Sequence, residues 1–108
     1  MKFLMIIEGV PGGVLMPPEQ FLALCKAQWA WSRKGREAKR AEVVYGLADH
    51  AGGLMGGCAI VNYESAEQLA EDLAIMPAAG LATVKMYPLV APEVTEKMIE
   101  GALAQLPK

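Results

Sequence analysis

The sequence predicts one α+β domain whose elements run strand, helix, strand, strand, helix, strand, with a further helix at the C-terminus. Three observations predict it. Met1 to Val10, Ala41 to Asp49, Leu54 to Tyr63 and Leu81 to Val90 are short, apolar and β-rich. None of them alternates cleanly between polar and apolar residues, as strands covered on only one face would. Helical segments follow the first and third strands, and two helices cover only one face of a four-stranded sheet. The other face needs a different cover. In a chain of 108 residues the simplest cover is a second copy of the chain.

Each element has its own local reason. Lys2 to Glu8 forms the first strand, and the turn formers Gly9-Val10-Pro11-Gly12-Gly13 break it. Pro17-Pro18 starts a helix, Glu19 suits its first turn, and the helix runs to about Arg36. Phe21, Leu24, Cys25 and Gln28 share one stripe, flanked by Trp29 and Trp31. Two residues apart, the tryptophans are not expected to face the sheet together; one of them lines a cleft or interface, or packs against the core. Ala41 to Ala48 is the second strand. Asp49-His50-Ala51-Gly52-Gly53 connects it as a hairpin to the third, Leu54 to Tyr63. Gly56-Gly57 within that strand signals a bulge or a close backbone approach. Ser65 with Gln68 forms a capping box. The helix behind it presents Ala66, Leu69, Ala70, Leu73 and Met76 inward until Pro77 stops it. Gly80 turns the chain into the fourth strand, Leu81 to Leu89. Pro92 opens a last helix with Val94, Met98, Ala102 and Leu106 roughly on one stripe, suited to covering a sheet edge or reaching a neighbouring subunit. This order is the ferredoxin-like βαββαβ arrangement with an extra C-terminal helix.

The bulk numbers bound the function. A length of 108 residues is one domain, residues 1–108. A net charge of −2 with 20% charged residues argues against a general nucleic-acid binder and against disorder. The third strand, Gly56-Gly57-Cys58-Ala59-Ile60, lacks the stacking rings of an RNA-recognition motif. A hydrophobic content of 54% is high for so small a domain and fits self-association into a homodimer or higher homo-oligomer. No apolar run is long enough to span a membrane. The opening MKFLMII reads as a strand and not as a signal peptide. Cys25 and Cys58 lie outside any CxxC pattern and read as free thiols of a cytoplasmic protein.

Candidate chemistry follows from strand parity. Lys2, Leu4, Ile6 and Glu8 share one face of the first strand; Thr83, Lys85 and Tyr87 share one face of the fourth. The two strands are neighbours in this topology, so Glu8 is expected near Lys85 or Tyr87. Tyr45 comes from the second strand, and Asn62 or Tyr63 from the third. A carboxylate in an apolar pocket has a raised pKa and shuttles a proton. A tyrosine or lysine beside it stabilises an enolate. Glu8, Tyr45, Lys85 and Tyr87 are therefore the candidate catalytic residues, with Trp29, His50 and Asn62 as candidate substrate-binding residues. Glu8 with Lys85 reads equally as a plain cross-strand ion pair. His50, the one histidine, sits in a glycine-rich connection, a poor mount for a rigid base. No metal-ligand spacing or phosphate-binding glycine loop occurs, so no metal and no cofactor is expected. Arg33, Lys34, Arg36, Lys39 and Arg40 read as a solvated helix end, or as a patch that steers anions to a pocket.

One stretch carries a family likeness. It runs through Cys58-Ala-Ile-Val-Asn-Tyr-Glu-Ser65-Ala-Glu-Gln-Leu69, then Leu73-Ala-Ile-Met-Pro77, then Thr83-Val-Lys-Met-Tyr-Pro88-Leu. It resembles the dimeric α+β barrel superfamily, and within it the muconolactone isomerases, over about residues 41 to 92. The resemblance implies two sheets packed face to face across a two-fold axis. It also implies a cofactor-independent enzyme that shifts a proton on a small lactone or carbonyl intermediate. Relatives on the same barrel imply a cofactor-free monooxygenase or a polyketide-type cyclase instead. A non-enzymatic small-ligand-binding or assembly module is the third expectation. The candidate site residues come from parity, not from this resemblance.

Overall fold

The computed structural model describes residues 1–9, 16–48 and 54–107. The hairpin connection with His50, and the turn from Val10 to Gly13, lie outside the described residues. The elements are β1 (Lys2–Gly9), α1 (Pro18–Glu37), β2 (Ala41–Gly46), β3 (Gly56–Asn62), α2 (Ala66–Ala74), β4 (Ala82–Pro88) and α3 (Pro92–Ala104). The strands form one sheet in the order β2-β3-β1-β4, every pairing antiparallel. The fold is ferredoxin-like α+β, as the element order predicts, and β1 and β4 are neighbours. No helix among the described residues is long and apolar enough to cross a membrane.

The register fixes the two faces of the sheet. Phe3, Met5 and Ile7 of β1, Ala59 and Val61 of β3, and Val84 and Met86 of β4 pack toward α1 and α2. A second cluster of Cys25, Met55, Met76 and Ala78 closes the core beside α1. The opposite face presents Leu4, Ile6 and Glu8, aligned with Ile60, Cys58 and Gly56 on one side and with Tyr87, Lys85 and Thr83 on the other. No element among the described residues covers that face. Of the two signals read into Gly56-Gly57, the close approach is the one found. A methyl group at Gly57 would meet the Tyr45 carbonyl oxygen at 3.1 Å and the Trp29 ring at 3.4 Å. The bulge lies on the other strand, where the β2 register shifts between Ala41 and Val43.

For α2 the expectation is corrected, and for α3 one of its two alternatives is set aside. α2 ends at Ala74, ahead of Pro77. Proline disfavours the helical conformation in the residue before it, so Met76 leaves the helix and buries its side chain. Leu69 and Leu73 face the core, but Ala66 is exposed and Ala70 is not among the buried residues, and Asp72 is the residue that turns inward. α3 forms where expected, yet it covers no edge of its own sheet. None of its residues is buried, and Val94, Met98, Ile99 and Leu103 stand exposed.

α1 ends in a tight closure that delivers Arg40 to the start of β2. Lys39 occupies the left-handed region at φ 63°. Its N–H donates to the Arg36 carbonyl at 3.0 Å, and the Arg40 N–H donates to the Gly35 carbonyl at 2.9 Å. This double closure is usually built on glycine. Lys39→Gly relieves the side-chain strain at the expense of a looser unfolded chain, for a net gain of about 0.5–1 kcal/mol. The expected result is a higher urea midpoint at unchanged slope.

Candidate functional site

The open sheet face carries most of the residues singled out by parity. Lys85 Nζ lies 3.6 Å from Glu8 Oε1. The expected proximity to Lys85 therefore holds, and the one to Tyr87 does not. Tyr87 aligns with Leu4, four residues from Glu8 along β1, about 13 Å at the rise of a strand. Tyr45 aligns with Cys58 on the far side of β3. These four residues thus share a face without converging within one chain. Glu8 and Lys85 keep about 34% and 50% of their side-chain surface exposed, and an ion pair this wet contributes ~0–1 kcal/mol. Asn62 is engaged at the opposite end of β1, where its Nδ2 donates to Glu42 Oε1 at 3.0 Å. Lys2 Nζ approaches the same oxygen at 2.8 Å. Hydrogen bonds from Lys2 and then Asn62 hold the Glu42 carboxyl below its ordinary range.

The helix-covered face holds the enclosed space. Two clefts run between α1 and the sheet, and Met5, Ser32, Val44 and Ala59 line both, so they lie side by side as adjoining arms of a trough. The first arm reaches Gln28, Trp29, Met55 and Gly57. The second reaches Trp31, Arg40, Tyr63 and Asp72. Each arm encloses about 30 Å³, room for about one water-sized group, so a ring-sized ligand enters only if the walls part. The two tryptophans straddle α1. Their spacing was expected to keep one of them off the sheet, but their long indoles both reach the trough from the flanks of the helix.

Each arm has a polar group held by the fold. In the first, the Ala78 N–H donates to Gln28 Oε1 at 3.0 Å across the core. In the second, Arg40 Nε lies 3.5 Å from Asp72 Oδ2. Tyr63 follows β3 and donates its hydroxyl to the same carboxylate. Asp72 and Gln28 are the buried polar side chains among the described residues. Burial first, then the charge of Asp72 and the hydrogen bond to it, push the Tyr63 hydroxyl from 10.0 up to about 12. The phenol therefore stays protonated and remains a donor at neutral pH.

That shift carries a stability prediction. Between pH 10 and 12 the unfolded chain gives up the phenolic proton and the folded chain keeps it. Stability is complete below pH 10 and falls as pH rises toward 12, by up to about 3 kcal/mol. Tyr63→Phe should flatten this part of the curve. Urea midpoints of both proteins across that range give the difference, since other groups that ionise there act on both alike.

Asp72, Arg40 and Gln28 are not among the residues that strand parity picks out for chemistry. Signals existed for two of them. Asp72 is an acid beside the apolar stripe of Leu69 and Leu73, and Gln28 is an amide on the stripe with Cys25. Arg40 was hidden in its run of cations. Among the described residues no three metal-ligating side chains gather in one place.

No protein-family model matches the chain, and no curated protein matches it. A solved structure does. The chain is similar to the solved structure of the 5-chloro-2-hydroxyhydroquinone dehydrochlorinase TftG from Burkholderia phenoliruptrix AC1100, in complex with 2,5-dihydroxybenzoquinone. The TM-score is 0.65 at 16% identity, over 87% of this chain and 98% of that one. A likeness at this identity is one of fold, and it agrees with the ferredoxin-like arrangement of the sheet and its two covering helices.

Proposed function

We propose that the protein is a cofactor-independent, isomerase-like enzyme that shifts a proton on a small lactone or other carbonyl compound, in the manner of a muconolactone isomerase. The observation that supports it most is the trough that ends at Asp72. A carboxylate held between a guanidinium and a protonated phenol, at the end of an apolar cleft, is equipment for taking and returning a proton beside a carbonyl. A protein of the same fold in complex with a small oxygenated ring supports the substrate class. The working form in this reading is a cytoplasmic homodimer or higher homo-oligomer whose second copy covers the open sheet face, with no nucleic-acid partner.

A second placement uses Glu8 and Lys85. Their pairing on the open face favours it only if a second copy shuts out the water that now reaches both. On this placement Glu8 is the acid/base group, and Tyr45 and Tyr87 reach it from the second copy's sheet.

The test is deuterium uptake beside the carbonyl of a small lactone and of an aromatic ketone in heavy water, with isomerisation of a β,γ-unsaturated lactone followed by ultraviolet absorbance. Catalysed uptake and isomerisation are expected. Oxygen consumption with a hydroquinone and no exchange would move the protein to the monooxygenase reading. Binding with neither reaction would make it a ligand-binding module.

A further inference from the structure

We infer that Gln28 orients the ligand in the trough, and that it selects molecules presenting a carbonyl or similar oxygen acceptor on a flat apolar frame. The inference rests on the proton-shift reading for the fate of that ligand, and on α1 for the place. Gln28 is 7% exposed. Its orientation is not arbitrary: the Ala78 N–H requires an acceptor, so Oε1 is turned to Ala78 and Nε2 away from it. Nε2 is buried and has no hydrogen-bond partner among the described residues. A buried N–H left in this state is rare, because it loses its water without gaining an acceptor.

The walls around it explain which ligand would restore the balance. Met5, Ile7, Val44 and Met55 offer no side-chain oxygen, and the Trp29 ring lies close to Gly57. A flat apolar frame fits these walls. A cation would meet a donor and be repelled. A hydrocarbon would leave the amide unmet. An oxygen acceptor satisfies it. Ser32, one helical turn beyond Gln28, lines both arms and adds a hydroxyl along the path toward Asp72. When the C–H bond beside the carbonyl breaks, the proton goes to the carboxylate and the electron pair moves onto the carbonyl oxygen. Return of the proton to another carbon closes the cycle with no change of oxidation state. Entry needs the walls to part; Leu54 in the wall of the first arm is exposed.

The experiment titrates the nitrogen-15-labelled protein with 1-tetralone and with tetralin, the same frame without the oxygen. The Gln28 side-chain amide signals should move with 1-tetralone, which should bind roughly five-fold tighter than tetralin. Gln28→Met should equalise the two probes. The amide shift in the unaltered protein stands as a readout even if that variant folds poorly. The inference is overturned if the amide signals stay fixed while 1-tetralone binds, if both probes bind alike, or if neither binds up to its solubility. Deuterium uptake at the carbon next to the 1-tetralone carbonyl is read in the same samples. Selective binding without uptake sinks the proton-shift reading alone. Uptake without selectivity sinks the role of Gln28 alone.

Discussion

Asp72→Asn should lower catalysed deuterium uptake by roughly 10²–10⁴, the usual loss when a positioned acid/base group is removed. The substitution keeps the shape of the side chain and an oxygen for the Tyr63 hydroxyl. It removes the charge and the ability to accept a proton, and turns one acceptor oxygen into an N–H donor. Folding should survive, because the Arg40 side chain left behind is 41% exposed and regains water. A urea midpoint close to that of the unaltered protein would establish this. Glu8→Gln is the matching experiment on the other face of the sheet. If Glu8→Gln abolishes uptake and Asp72→Asn does not, the chemistry belongs to the open face, and the trough reading is wrong. Loss of uptake in Asp72→Asn with Tyr63→Phe retaining part of it would give the phenol a supporting role as donor. Equal rates in all three variants would remove both sites from contention.

On the pairing proposal the unaltered protein should associate, and Ile60→Arg should leave single chains. Ile60 lies on the interior strand β3, opposite Leu4 on β1 and Val43 on β2, at the centre of the open face. Around it are Ile6, Cys58 and Tyr45, a surface few soluble monomers leave to water. An arginine there costs the single chain little, since its head reaches solvent. In a face-to-face pair it would be buried opposite apolar partners, and an unpaired buried charge weakens association by roughly three orders of magnitude or more. Sedimentation velocity at micromolar concentration reads the result. A protein that already sediments as single chains would sink the pairing proposal outright. The thiols offer a second readout. Cys58 lies on the open face and should react with a thiol reagent in the variant but be shielded in the pair. Cys25 is 2% exposed, and burial pushes its thiol up, so it should react slowly in both.

The fold was legible because its signals are local. Apolar runs, proline starts and the Ser65 cap each act within a few residues, and all three appear where they were read. The cap itself is built with Gln68 N–H donating to Ser65 Oγ at 3.1 Å, while the Gln68 side chain reaches back to the Glu64 N–H at 2.8 Å. The site was less legible because it is assembled from three places distant in sequence. Arg40 precedes β2, Tyr63 follows β3 and Asp72 sits on α2, and only the packing of α2 against the sheet brings them together. Strand parity sorted residues between two faces correctly, but it could not say which face would enclose space. That depended on how α1 lies on the sheet, which is a matter of tertiary packing and not of any one strand's pattern.

α3 has a consequence of its own. Thirteen residues, none of them buried, lie near the shortest length at which a lone peptide keeps its coil wound in water. Gly101 weakens it further near its end. The winding of Pro92–Ala104 is therefore set by its surroundings more than by its own sequence, and the tail acts as a reporter of company: wound tightly when something lies along its greasy side, fraying when nothing does.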